Sequence, residues 1–81
     1  MKVKVKLFAA PREALQRGEI EQELPSGTTV GGLMQRLVLD YPALRSYVAH
    51  MKLAVNCRYA QAEAELHDGD EVACLPPVGG G

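Results

Sequence analysis

The residues with the most chemical content are the last seven, "LPPVGGG", at positions 75–81. Glycine has no Cβ, so a run of it can lie extended in a channel too narrow for side chains. A terminal pair, Gly80 and Gly81, would deliver a free carboxylate into a deep site on another protein. A carboxylate becomes an acyl donor only when one oxygen is turned into a good leaving group, and adenylation by ATP is the usual route. On this reading the tail is a substrate, and Gly81 is the residue that reacts. Composition alone leaves a second reading open, a flexible end or an expression remnant with no chemistry. Pro76 and Pro77 favour the first, because each fixes φ near about −65° and together they make a stiff stalk leading into Val78 and Gly79.

The other reactive side chains form no comparable constellation. His50 and His67 are isolated, with no acidic or cysteine partner at ligand spacing, so no metal site is expected. Cys57 and Cys74 are the only cysteines, too few for a disulfide framework and too far apart for a CxxC motif, so both are expected to be buried thiols. "TTVGG" places glycines near a helix start but lacks the Lys-Ser/Thr of a phosphate loop. Residues 63, 65, 68, 70 and 71 are acidic and read as a solvated edge.

The elements that must position the tail follow from hydropathy. "KVKVKLF" alternates with period two, placing Val3, Val5 and Leu7 on one face and Lys2, Lys4, Lys6 and Phe8 on the other. Pro11 suits the first turn of a short helix, "PREALQRG", with Gly18 as its stop. "EIEQEL" predicts a second strand with Ile20 and Leu24 inward. "PSGTT" supplies a turn and a capping hydroxyl, after which Val30, Leu33, Leu37 and Tyr41, with Met34 and Val38, recur at helical spacing and predict the main helix over about residues 30–40. Gly31 and Gly32 weaken this helix's first turn, so packing must hold it. Pro42 ends it. "KLAVN" predicts a strand with Leu53 and Val55 inward, "CRYAQAEAEL" a short strand and loop, and "HDGD" a turn into the last strand, with Val72 and Cys74 inward and Ala73 and Leu75 outward. Two strands, one principal helix and further strands give an α+β fold. The expected organisation is one domain over residues 1–75 and an extended tail over 76–81.

With 81 residues, 47% of them hydrophobic, and a formal net charge of −1, the chain has room for one core. It shows no basic cluster for nucleic acid. It shows no apolar run long enough for a membrane span and no signal-like start, so a cytoplasmic protein is expected.

Three segments together resemble a known family. "LHDGDEVACLPPVGGG" is similar to the "DGDEV…PPV-x-GG" ending of the MoaD-type ubiquitin-like proteins, the small sulfur-carrying subunits of molybdopterin synthase (MoaD/ThiS superfamily). "KVKLFAAPRE" resembles that family's first strand and "FA-x-x-RE", and "TVGGLMQRLVLDYPAL" with "LAVN" its helix and central strand. The likeness covers nearly the whole chain, although Gly79 fills a variable position of the pattern.

The resemblance implies a β-grasp fold, a mixed sheet curled over one main helix. It also implies a cycle in which an E1-like (MoeB-type) enzyme adenylates Gly81 with ATP. A donor such as a cysteine desulfurase or rhodanese then converts the adenylate to a thiocarboxylate. The tail enters the large (MoaE-type) subunit, with which the carrier would form a heterotetramer, and there sulfur passes to cyclic pyranopterin monophosphate to form the molybdopterin dithiolene. No cofactor would be held permanently, and catalytic side chains would sit in the large subunit. Phe8, Tyr59 and Leu75, with the tail residues Pro76, Pro77, Val78, Gly79 and Gly80, are the expected partner contacts. Phe8 and Leu75 share the outer face by strand periodicity, with a bulge turning Phe8 into the core, or Tyr59 lying in a loop with its hydroxyl satisfied, as the alternatives. Two other uses of a terminal diglycine remain, a sulfur carrier for thiamine thiazole, cysteine or tRNA thiolation, and a protein modifier joined to lysines.

Overall fold

A computed structural model describes residues 1–75. Its elements are β1 (Lys2–Leu7), α1 (Ala9–Leu15), β2 (Glu19–Glu23), α2 (Val30–Asp40), a 3₁₀ turn (Pro42–Leu44), α3 (Arg45–Val48), β3 (Lys52–Val55), β4 (Arg58–Tyr59) and β5 (Glu71–Leu75). The five strands form one sheet in the order β2-β1-β5-β3-β4, with β1 and β5 parallel and the other pairs antiparallel. This is the β-grasp arrangement, in which the last strand inserts at the centre of the sheet.

The alternation in β1 buries Val3, Val5 and Leu7 and leaves Lys2 and Lys4 exposed. These side chains meet Ile20, Val72 and Cys74 from neighbouring strands and Val30, Leu33 and Leu37 from α2, all at most 2% exposed. Leu44 and Leu66 close the core from the connecting segments. Gln22, on the same face as Ile20, is buried as well, a polar side chain that hydropathy does not place inside.

Helix α2 begins as its residues dictate. The Thr29 hydroxyl accepts a hydrogen bond from the Gly32 N–H at 3.1 Å, satisfying one orphan donor of the first turn. The N–H groups of Val30 and Gly31 donate to the carbonyls of Ala64 and Ala62, each at 2.9 Å. A Cβ on Gly31 would stand 3.3 Å from both the Cβ and the carbonyl oxygen of Ala62. The residue that weakens the helix therefore admits the 62–64 loop against its start. Thr29→Ala removes the cap and is expected to lower stability by about 1 kcal/mol in chemical denaturation; an unchanged midpoint would mean that the loop contacts alone hold this turn.

Three expectations are corrected. Helix α1 stops at Gln16, which takes a left-handed φ of 54°, two residues before Gly18. Cys57 is exposed and only Cys74 is buried. The reason is that β3 and β4 are joined by two residues, Asn56 and Cys57, both with positive φ, the backbone of a type I′ hairpin in which glycine is usual where this chain has cysteine. The acidic residues near position 68 are not simply a solvated edge. Asp68 accepts from the Lys2 N–H at 2.7 Å, and Asp70 accepts from the His67 N–H at 2.8 Å and the Asn56 side-chain amide at 2.9 Å. The hydrogen bond from the His67 backbone holds the Asp70 carboxyl below its ordinary value.

Candidate functional site

The strand registers assemble the outer face of the sheet, the one turned away from α2. Lys6 lies opposite Ala73, Ala73 opposite Ala54, and Ala54 opposite Tyr59. One pleat further, Leu75 lies opposite Lys52, and continuing the β1–β5 register brings Phe8 level with Leu75. Phe8, Leu75 and Tyr59 therefore share one face, with Ala54 and Ala73 between them. Ala54 is only 6% exposed yet lies outside the core cluster, so it is covered from the outer side.

Phe8 is 39% exposed and Tyr59 70%, while Leu75 is half-buried. Phe8 does not turn back into the core. It keeps extended geometry at the end of β1, and Ala9 then adopts a left-handed φ of 55° that bends the chain into α1. An alanine there is strained by about 1 kcal/mol, a local device that leaves the aromatic ring at the rim. Tyr59 lies in a strand and not a loop, and its hydroxyl has no hydrogen-bond partner among the described residues. Pro76, Pro77, Val78, Gly79, Gly80 and Gly81 lie outside the described residues.

The two halves of the outer face differ in chemistry. Toward the start of β1, Lys4 pairs with Glu19 at 3.8 Å and Lys6 with Glu71 at 3.7 Å, all partly solvated. Toward its end, where β5 leads to the tail, the surface is Phe8, Leu75, Ala73 and Tyr59. An apolar area bounded by ion pairs has the composition of a protein-docking patch. His67, expected to stand apart from acids, has Glu65 at 3.6 Å and Asp70 at 3.9 Å, and among the described residues no group of three potential ligands converges on a metal position.

Residues 5–81 match the ThiS family. The chain belongs to the ThiS family. It is 43% identical over 82 residues to the molybdopterin synthase sulfur carrier subunit of Mycobacterium tuberculosis, covering 100% of this chain and 99% of the relative. It is 35% identical over 81 residues to the subunit of the same name from Arabidopsis thaliana, covering 100% and 84%. Among solved structures, small archaeal modifier protein 1 from Haloferax volcanii superposes with a TM-score of 0.89 at 29% identity, covering 95% and 98%.

In this ThiS family member the cysteine beside the docking patch is not available as a nucleophile. Cys74, next to Leu75, points into the core, and burial pushes its thiol up to about 12, so it stays protonated and unreactive. Lys52, beside Leu75 at the base of the tail, was not singled out by sequence reasoning; its signal was its place at the outward-facing start of "KLAVN". No helix among the described residues is long and apolar enough to cross a membrane.

Proposed function

We propose that this chain is the sulfur carrier subunit of a molybdopterin synthase, acting as a carried substrate and not as a catalyst. The observation that carries the reading is the apolar half of the outer face ending at Leu75, where the tail begins, in a chain 43% identical over its full length to a relative of that name. The Gly81 carboxylate attacks the α-phosphate of ATP on an E1-like activating enzyme, releasing pyrophosphate. The persulfide of a cysteine desulfurase or rhodanese displaces AMP to form an acyl disulfide, and a second thiol cleaves the S–S bond, leaving a thiocarboxylate on Gly81 and a disulfide on the donor side. The large subunit then receives the tail, the thiocarboxylate sulfur bonds to a carbon of cyclic pyranopterin monophosphate, and water hydrolyses the resulting thioester, leaving the sulfur on the pterin and a carboxylate at Gly81. Two loaded carriers serve one dithiolene, in keeping with a heterotetramer. ATP belongs to the activating enzyme, and the carrier holds no cofactor of its own.

Intact mass spectrometry tests this directly. Incubation with the activating enzyme, ATP and a sulfur source is expected to add about 16 Da, one oxygen replaced by sulfur. The gain should vanish as molybdopterin forms once large subunit and precursor are added. A gain that persists would assign the carrier to another pathway, and no gain under conditions that load a control carrier would overturn the reading. The likeness to small archaeal modifier protein 1 favours a second use, conjugation to lysines; a ladder of high-mass adducts in cells, dependent on Gly81, distinguishes it.

The docking patch has its own test. Phe8→Ala is expected to leave the melting temperature nearly unchanged and to weaken large-subunit binding by about 2 kcal/mol, roughly thirtyfold in Kd. A large loss of stability with unaltered affinity would place Phe8 in the core instead.

A further inference from the structure

The side of the molecule away from the outer face carries a second apolar surface. A groove of about 840 Å³ runs between the start of α2 and the edge of the sheet, walled by Met34, Val48, Met51, Leu53 and Ala60. A smaller hollow of about 360 Å³ shares Met34 and Val48 and extends along α2 to Val38 and Leu39. Leu39 is 75% exposed. The two form one apolar strip along a helix, longer than an isolated surface leucine needs to explain.

Charge singles out what fits it. Residues 41–62, which supply α3, β3 and β4 at the sheet edge that bounds the groove, contain Arg45, Lys52 and Arg58 and no Asp or Glu. That segment stands at +3 while the whole chain is at −1, so the remainder stands at −4. Lys52 lines the groove itself. Arg58 pairs with Val55, whose neighbour in β5 is the core residue Val72, so Arg58 lies on the helix-facing side of the edge strand. Both are exposed and, among the described residues, neither is in an ion pair. Tyr59 and Lys52 also border the outer-face patch, making the two surfaces continuous around the β3–β4 edge.

We infer that this strip is a second docking surface, and that its occupant is an acidic amphipathic segment of a protein partner, with large apolar side chains on one face and Asp or Glu on the other. Helix-in-groove recognition uses this division, apolar anchors for affinity and flanking charge for choice of partner. The inference does not depend on sulfur chemistry.

The test is an NMR titration of the full chain with two synthetic helical peptides, identical in their leucine face and differing in glutamate or lysine on the other. The glutamate peptide is expected to shift amides of Met34, Val48, Met51 and Leu53, and the lysine peptide to bind more weakly. Lys52→Glu combined with Arg58→Glu should weaken the glutamate peptide about tenfold, the effect of two exposed charge contacts, and should improve the lysine peptide. Equal binding of both peptides, or shifts confined to Phe8 and Leu75, would overturn the proposal. So would concentration-dependent shifts at Val48 and Leu39 without peptide, which would assign the strip to a second copy of this chain. Unchanged spectra with either peptide would also reject it. A matching far-ultraviolet spectrum and melting temperature for the double variant separate a charge effect from unfolding.

Discussion

A chain lacking Gly81 is expected to lose sulfur loading by at least about a hundredfold, with its melting temperature unchanged. Removing one extended residue retracts the terminal carboxylate by about 3.5 Å. A displacement of even about 1 Å from a productive geometry can reduce a rate a hundredfold. The remaining carboxylate, on Gly80, would reach the same channel but stop short of the α-phosphate of ATP. Because the described core and outer face lie in residues up to Leu75 and are left intact, the variant should still bind its partners and so compete with the intact chain. Gly79→Ala, at the variable position of the family's ending, should load close to the unaltered protein. The measurement is the fraction of thiocarboxylate by intact mass at fixed time. Normal loading of the shortened chain would remove the tail from the mechanism.

The largest expected loss of stability comes from Leu33→Ala. Leu33 is fully buried in α2, within the cluster shared with β1 and β5. Truncation removes transfer free energy and leaves a cavity, together worth about 3 kcal/mol. In a domain of this size the melting temperature should fall by roughly 10–25 °C. Since total stability is about 5–15 kcal/mol, the variant should remain largely folded at 25 °C and, once folded, load and bind normally. Thermal and chemical denaturation read the effect. A loss below about 1 kcal/mol would show that α2 is not packed across the sheet as described.

Much of this molecule could be anticipated from residue pattern, and the exceptions share a cause. The alternation of Val3, Val5 and Leu7, the Thr29 cap and the helical spacing of Leu33 and Leu37 are strong local signals, and tertiary structure agrees with them. So does the placement of Phe8 and Leu75 on one face, because strand periodicity transmits orientation once register is set, whereas Tyr59 was expected beside them only from the family resemblance. What pattern missed depends on backbone conformations that residue type does not announce. Cys57 resembles a core thiol by type but occupies a hairpin turn. Ala9 and Gln16 adopt positive φ without being glycine. Asp68 and Asp70 look like surface charge, yet each has found a backbone N–H distant in sequence or across a turn. The groove beside α2 was illegible for a different reason: it is made from segments that touch only after folding, α2 and the 48–53 and 60–62 stretches.

The central position of β5 has a consequence for how the protein is made. Its partners are β1, from the start of the chain, and β3, so during synthesis the sheet stays in two unjoined parts until residues 71–75 emerge. Until then Val3, Val5 and Leu7 lack the strand that completes their layer, and β1 presents a bare edge. Pairings so distant in sequence make folding slow to begin. The nascent chain therefore has no finished docking face to offer early, and a partner that recognises Phe8 beside Leu75 meets only chains whose synthesis has passed the last strand.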